Sequence, residues 1–220
     1  MSVYYEDDLV TLYLGDCREV TAWLEADVLV TDPPYGVAWK SGQFSNARVA
    51  LVEQVANDHD AAARDDVLAM WGNRPALIFG SWRIPRPPGV NNRLIWHKAA
   101  NLPGHRTQPW FAADEEIYQL GSGFVGKPEQ NVIVTNDRRD GANGEVAKIG
   151  HPTPKPISLM GRLIGKCPPG VIADPFAGAG ATLLAAKQLG RRAIGVELEE
   201  RYCEIAANRL SQDTLFGGVA

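Results

Sequence analysis

The segment Ala26-Asp27-Val28-Leu29-Val30-Thr31-Asp32-Pro33-Pro34-Tyr35 decides the fold of this chain. Its first six residues form a short, nearly continuous apolar run rich in valine, which is typical of a strand buried on both faces of a parallel sheet. Pro33 has no backbone N–H, so it ends the ladder and the chain leaves the sheet at Asp32. We therefore predict an α/β protein that presents Asp32 and Tyr35 at the carboxyl ends of parallel strands, where open sheets bind ligands. Taken alone, these last four residues also fit an ordinary strand-ending turn.

The composition is that of an ordinary globular protein. Of 220 residues, 45% are hydrophobic and 22% are charged, so we expect one domain over residues 1–220. The three cysteines are too few and too widely spaced for a disulfide framework or a zinc site, so we expect no metal and a cytoplasmic location. We see neither a signal peptide nor an apolar run of membrane-spanning length, and we expect no membrane partner.

The net charge of −4 conceals an uneven distribution of charge. Residues 67–113 contain no Asp or Glu but several Lys and Arg residues, as a local phosphate-binding face requires. Within them, residues 99–113 mix cations with Trp110 and Phe111, which could stack on bases or fill the core. A solvated loop is the alternative interpretation of the basic stretch. The candidates for nucleic-acid contacts are Arg83, Arg86, Lys98, His105, Arg106, Arg138 and Arg139.

Hydrophobic periodicity predicts alternating strands and helices along the chain. Residues 36–45, which contain glycine and serine, are a candidate lid beside the binding crevice. The predicted strands are 10–14, 26–31, 76–80, 93–96, 116–120, 132–134, 171–174 and 193–197. The predicted helices are 18–24, one or two within 47–71, 157–164, 180–189 and 201–210.

A glycine turn, Asp174-Pro175-Phe176-Ala177-Gly178-Ala179-Gly180, lies between a predicted strand and a predicted helix. Gly178 and Gly180 permit a tight turn and close approach of a ligand to the backbone. Nineteen residues beyond Gly178, Glu197 ends the next strand, where its carboxylate can accept two ribose hydroxyl protons. Leu183 stands where a dinucleotide motif has its third glycine, so the pattern favours a nucleoside cofactor over a dinucleotide. The alternative is an ordinary crossover with a chance acid.

Three motifs together resemble a known family. Asp32 to Tyr35, His-Pro-Thr-Pro-Lys-Pro at 151–156 and the glycine turn occur in the order of the β-type, permuted DNA amino-methyltransferases. The resemblance extends over residues 12–210. It implies an S-adenosylmethionine-dependent methyltransferase (Rossmann-like) fold, with a seven-stranded, mostly parallel sheet, one antiparallel strand and a circularly permuted order. It leaves only small recognition insertions, at about 99–113 and 121–150.

The resemblance also implies S-adenosylmethionine as cofactor and assigns roles in binding it. Glu197 would hold the ribose hydroxyls, Asp16 would receive the adenine amino group, and Lys155 and Thr153 would lie near the methionine end. Thr153 fits a helix cap equally well. The full set of implied cofactor residues is Asp16, Cys17, Asp32, Thr153, Lys155, Asp174, Pro175, Phe176, Ala177, Gly178, Gly180, Thr182, Glu197 and Leu198.

The implied reaction is methylation of adenine N6 in DNA by direct displacement after base flipping. The catalytic set would be Asp32, Pro33, Pro34 and Tyr35, in which Asp32 and the Pro33 carbonyl accept the amino hydrogens and Tyr35 stacks on the flipped base. Cytosine N4 and an RNA amino group stay open as acceptors, and a non-catalytic nucleic-acid-binding module is the alternative of another class. Duplex DNA is the expected partner and a homodimer is possible, while the sequence identifies neither the recognition site nor a partner nuclease.

Overall fold

A mixed sheet passes through the centre of the protein, which we describe from a computed structural model covering residues 2–34, 61–98, 113–135 and 154–216. Within these ranges the sheet has nine strands. They are β1 (Ser2–Glu6), β2 (Val10–Leu14), β3 (Val28–Thr31), β4 (Ala76–Gly80), β5 (Val90–Lys98), β6 (Asp114–Leu120), β7 (Val132–Thr135), β8 (Ile172–Asp174) and β9 (Ala193–Glu197). The helices are α1 (Ala62–Trp71), α2 (Ile157–Ile164), α3 (Ala181–Gln188) and α4 (Glu200–Phe216), with a 3-10 helix at Ala22–Glu25.

The strands lie in the order β1-β2-β9-β8-β3-β4-β6-β5-β7. From β2 to β4, each strand is parallel to its neighbour, and β6 is antiparallel to both β4 and β5. The seven strands from β2 to β5 therefore confirm the predicted mostly parallel sheet with one reversed strand. The first of these seven in sequence, β2, lies beside the last, β9.

Two outer strands extend the sheet beyond the predicted seven. At one edge β7 pairs in parallel with β5, and at the other β1 pairs antiparallel with β2. Sequence reasoning missed β1 because residues 1–8 seemed polar and acidic. The hairpin forms because Asp7 Oδ1 accepts hydrogen bonds from the backbone N–H groups of Leu9 and Val10 at 2.9 and 2.8 Å, and so closes a tight turn.

Most predicted elements are confirmed with small shifts of their ends. The predicted helix at 18–24 was wrong in type and extent, since only a 3-10 turn at Ala22–Glu25 forms there, and the last helix extends past 210 to Phe216. Of the predicted helical region 47–71, α1 is the described part. Residues 36–45, 99–112 and 136–150 lie outside the described ranges.

Helices cover both faces of the sheet. Val28 and Val30 of β3 pack with Leu159, Leu183 and Leu210, which belong to α2, α3 and α4. Leu29, which points to the other face, packs with Trp23 and Trp71, whose rings stack at 5.9 Å. Strand β3 is thus buried on both faces, as its apolar run predicts.

Candidate active site

The functional side chains lie along one edge of the sheet. Because β2, β9, β8 and β3 are parallel, their carboxyl ends deliver Asp16, Glu197, Asp174 and Asp32 to the same edge. Thr31, which precedes Asp32, donates a hydrogen bond of 2.6 Å from its Oγ1 to Asp174 Oδ1, at the start of the glycine turn. The structure therefore brings the early acidic turn, which begins at Asp32, and the late glycine turn, residues 174–180, together at one edge of the sheet.

The glycine turn is hydrogen-bonded to the carboxylate of Glu197, at the end of the next strand. Gly178 and Gly180 have φ angles of 50° and 76°, in the left-handed region that favours glycine. The Gly178 N–H donates to Glu197 Oε2 and the Glu199 N–H to Glu197 Oε1, each at 2.8 Å. Burial raises the pKa of Glu197, although these two N–H groups oppose the shift.

This arrangement fits the ribose of a nucleoside cofactor. A carboxylate has about four lone-pair sites, so two backbone donors leave Glu197 able to accept further hydrogen bonds. The turn brings backbone close to that carboxylate, and Phe176 lies half-buried within it. The donors and acceptors of this cradle therefore suit a sugar diol rather than a metal ion.

Asp174 is buried at the start of the glycine turn and is held there by several hydrogen bonds. Its side chain accepts hydrogen bonds from Thr31 and Thr182, and from the Phe176 N–H at 3.2 Å. Burial nevertheless raises its pKa to about 6. Thr182 is itself only 3% exposed, so the structure places it beneath the turn, where it supports Asp174.

Asp16 lies beside Glu197 because the Gly15 N–H donates to the Glu197 carbonyl at 2.9 Å. Its carboxylate is paired with Arg18, whose Nε donates to Asp16 Oδ1 at 2.9 Å, and this hydrogen bonding lowers the pKa of Asp16. Sequence reasoning did not single out Arg18. Any ligand that contacts Asp16 therefore also meets a guanidinium.

The other predicted cofactor residues differ in accessibility. Cys17, Pro175 and Ala177 are buried, whereas Leu198 is 44% exposed. The Cys17 carbonyl accepts a hydrogen bond from Trp23 Nε1 at 2.8 Å, so the backbone of Cys17 anchors the segment that carries Asp16.

Asp32 is held by a buried lysine. Lys155 Nζ donates a hydrogen bond to Asp32 Oδ2, lies 3.3 Å from Glu115 Oε2 and stands 4.9 Å from the centre of the Phe79 ring. Only 6% of the Lys155 side chain is exposed, against 25% for Asp32. The lysine, predicted near the methionine end of the cofactor, thus lies directly against the proposed catalytic acid.

Two further charged residues extend this contact into a row. Lys98 forms an ion pair with Glu115, and its ammonium lies 4.9 Å from the Trp96 ring. We call Lys98, Glu115, Lys155 and Asp32 the charge row, in which positive and negative side chains alternate. Sequence reasoning missed Glu115 because only the reversed direction of β6 brings the beginning of that strand to the carboxyl edge of β4.

The nucleic-acid candidates occupy different environments. Arg83 is exposed in the loop after β4, Arg86 contacts Glu116 Oε1 at 3.2 Å, and Lys98 belongs to the charge row. Tyr35, Thr153, His105, Arg106, Arg138 and Arg139 lie outside the described residues.

Neither a metal-binding cluster nor a membrane-spanning helix occurs in the described ranges. No three His, Cys, Asp or Glu side chains in them are grouped so as to hold a metal ion. No helix in the same ranges combines the length and apolar character needed to cross a bilayer.

The sheet order and the paired turns are those of the S-adenosylmethionine-dependent methyltransferase fold. The M1.HpyAVI complex with S-adenosylmethionine shares the fold, with a TM-score of 0.63 and 22% identity over 92% of this chain and 99% of that one. The cytosine-N4-specific PvuII DNA methyltransferase also shares it, with a TM-score of 0.66 and 15% identity over 94% of this chain and 88% of that one.

Residues 91–208 match the N6/N4 family described as DNA methylase, which makes this chain a member of that family. Type II methyltransferase M.ScaI of Streptomyces caespitosus is 24% identical to it over 261 aligned positions, which cover 96% of this chain and 84% of that protein. The chain is thus a DNA methyltransferase, and S-adenosylmethionine is its methyl donor.

Proposed function

We propose that this enzyme methylates the N6 amino group of adenine in duplex DNA, after flipping the base, as a β-type member with permuted motif order. The observation that carries the proposal is the 2.6 Å hydrogen bond from Thr31 to Asp174, which joins the acidic turn to the cofactor turn. Donor and acceptor sites that share a rim are what direct transfer requires. We further propose that residues 1–220 act as one domain with recognition segments at 99–113 and 121–150, and that a homodimer could supply further DNA contacts.

The late turn supports the proposed cofactor site. Bound S-adenosylmethionine supplies an electrophilic methyl group on a positively charged sulfur. Glu197 would accept hydrogen bonds from the ribose hydroxyls, and the backbone at Gly178 would approach the cofactor closely. Asp16 would accept a hydrogen bond from the adenine amino group.

The early turn supports the proposed acceptor site. The lone pair of an adenine amino group is delocalised into the ring, so the nitrogen is a weak nucleophile. Asp32 would accept one amino hydrogen and the Pro33 carbonyl the other, which favours tetrahedral geometry and directs the lone pair at the methyl carbon. Pro33 and Pro34 stiffen the backbone that holds these two acceptors. Tyr35, which lies outside the described residues, would stack on the flipped base.

The proposed methyl transfer is a direct displacement that needs no covalent intermediate with the enzyme. As the N–C bond forms, the C–S bond breaks, and the nitrogen must lose one proton. Asp32, which accepts the hydrogen bond from that N–H, would take the proton and pass it to solvent. Lys155 would hold the Asp32 carboxylate in place during both events.

Cytosine N4 is the second candidate acceptor, and the PvuII enzyme that shares this fold is cytosine-N4-specific. Both acceptors carry an exocyclic amino group next to a ring nitrogen, so the same turn can bind either. The resemblance favours adenine, because members of this family with Ser at the Asp32 position tend to methylate cytosine.

The test begins with purified protein, labelled S-adenosylmethionine and duplex DNA, followed by digestion to nucleosides and mass analysis. We expect N6-methyldeoxyadenosine, whereas N4-methyldeoxycytidine would overturn the adenine assignment. Asp32→Asn should lower transfer by about 10²- to 10³-fold, as loss of a positioned polar group does, while calorimetry shows cofactor binding preserved. Asp8→Asn, an exposed change in the β1–β2 hairpin, is the matched control.

A further inference from the structure

The loop that follows β4 presents an unusually exposed tryptophan beside the proposed acceptor site. Residues 81–89 leave the sheet at the carboxyl end of β4, which is the parallel neighbour of the strand that delivers Asp32. Trp82 is 71% exposed, the highest value for a large hydrophobic side chain in the described ranges. The indole face is therefore accessible to a ligand that approaches this edge of the sheet.

A cation accompanies this ring. The Arg83 guanidinium lies 5.6 Å from the centre of the Trp82 ring. Residues 67–98 contain no Asp or Glu, and Glu116, an acid that contacts this loop, is paired with Arg86 and Arg93, so the charge of Arg83 can attract phosphate. An aromatic plane with an adjacent guanidinium suits a base and its phosphate, since rings stack on bases and arginine pairs with the backbone.

The loop is fixed to the body of the protein on the far side of Trp82. Buried Arg64 donates a hydrogen bond from Nη1 to the Pro85 carbonyl at 2.9 Å, and Arg86 contacts Glu116 at 3.2 Å. The Ile84 N–H also donates to the Ser81 carbonyl at 3.2 Å, which closes a turn around Trp82 and Arg83. Anchors of this kind hold the backbone of the loop in place before a ligand arrives, which lowers the entropy cost of binding.

We propose that Trp82 stacks on the DNA base next to the flipped nucleotide, while Arg83 pairs with a neighbouring phosphate. Flipping removes one stacking partner from the adjacent bases, and an indole can replace it. This inference rests on the proposed function, because it takes base flipping as the source of the exposed base face. It identifies the ligand of the loop as a DNA duplex with an interrupted stack.

The test needs no knowledge of the recognition sequence. The probes are two fluorescein-labelled duplexes of the same sequence, one intact and one with a central abasic site that exposes the faces of its neighbours. Fluorescence anisotropy of the full chain should show tighter binding to the abasic duplex. Trp82→Ala should weaken binding to that duplex about 10-fold and remove the preference, whereas Trp82→Phe retains most of it.

Controls separate the possible outcomes. Leu189→Ala removes a 48% exposed side chain after α3 and should leave both affinities unchanged. Arg83→Ala should reduce the slope of log K for DNA binding against log salt concentration by about 1, the value for one lost phosphate contact. Unchanged binding of both duplexes by Trp82→Ala would overturn the proposal, as would a Trp82-dependent dimer in sedimentation. The binding measurement does not depend on methyl transfer, so failure of methyl transfer and failure of this surface are distinguishable.

Discussion

Lys155 joins two parts of the chain that are 123 residues apart, and its contact with Asp32 gives it a role in the acceptor site. An almost fully buried ammonium is stable only when anions or ring faces surround it, and here Asp32, Glu115 and Phe79 do so. The carboxylate of Asp32 is therefore directed by a lysine that has few other positions to occupy. Through this contact, Lys155 of the later motif fixes the position of Asp32 in the earlier one.

We predict that Lys155→Met lowers the kcat of methyl transfer about 10- to 100-fold by releasing Asp32, with little change in the Kd for S-adenosylmethionine. Lys155→Arg, which keeps the charge, should recover part of the rate. Single-turnover kinetics and calorimetry measure the two quantities, and thermal unfolding checks that each variant folds. Equal loss in both variants with weakened cofactor binding would instead place Lys155 at the methionine end of the cofactor.

Glu115→Gln is the companion change, because it leaves the contact between Lys155 and Asp32 in place. We expect kcat to fall by less than in Lys155→Met, since the row loses one charge but Asp32 keeps its partner. A larger loss than that of Lys155→Met would show that Glu115 contacts the acceptor itself.

At the scale of elements, the packing of α3 against α4 sets the position of the glycine turn. A Cβ at Gly180, where α3 begins, would lie 2.9 Å from the Cβ of buried Ala206 in α4. At the other end of α3, Gly190 has a similar φ of 67°, but a Cβ there would meet no atom within 4 Å. The two glycines thus share a left-handed backbone conformation and differ in packing.

We predict that Gly190→Ala lowers the free energy of unfolding by about 1–2 kcal/mol, the cost of a left-handed alanine. Gly180→Ala should lose more, because the added methyl separates α3 from α4, and should also weaken S-adenosylmethionine binding. Urea unfolding and calorimetry measure both effects. Equal destabilisation with equal cofactor affinity would show that the contact with Ala206 relaxes freely.

Local sequence patterns were enough to predict the elements whose partners lie close in the chain. The limits of α2 and β9 agree with prediction because an apolar helical stripe and a strand between turn residues are local signals. Glu115 was missed because its role depends on neighbours that only the sheet order supplies. Arg18 was missed although its partner Asp16 is only two residues away. The pairing of Lys98 with Glu115 is likewise a consequence of β5 lying beside β6.

At the scale of the whole molecule, Asp174 imposes a pH dependence on stability. Burial raises its pKa from an ordinary 3.8 to about 6 in the folded state. Between these values the folded protein holds a proton that the unfolded chain has lost, so the free energy of unfolding falls as pH rises. The contribution of Asp174 is full below pH 3.8 and is lost as pH passes about 6.

We predict that Asp174→Asn removes this dependence. The difference in unfolding free energy between the variant and the wild type should shift by about 2–3 kcal/mol in favour of the variant between pH 4 and pH 7. Denaturant titrations at several pH values measure it, and the other carboxylates cancel in the difference. Parallel curves for the two proteins would contradict the assigned cause.

The neighbouring positions of β2 and β9 set the timing of folding. Leu12 pairs with Gly195, so the two strands are far apart in the chain. A ribosome must therefore synthesise the chain from Leu12 to Gly195 before β2 can join its parallel neighbour, and contacts of such long range form slowly. The nascent chain carries its acidic turn long before the cradle for the methyl donor exists, which makes a competent enzyme a late product of translation.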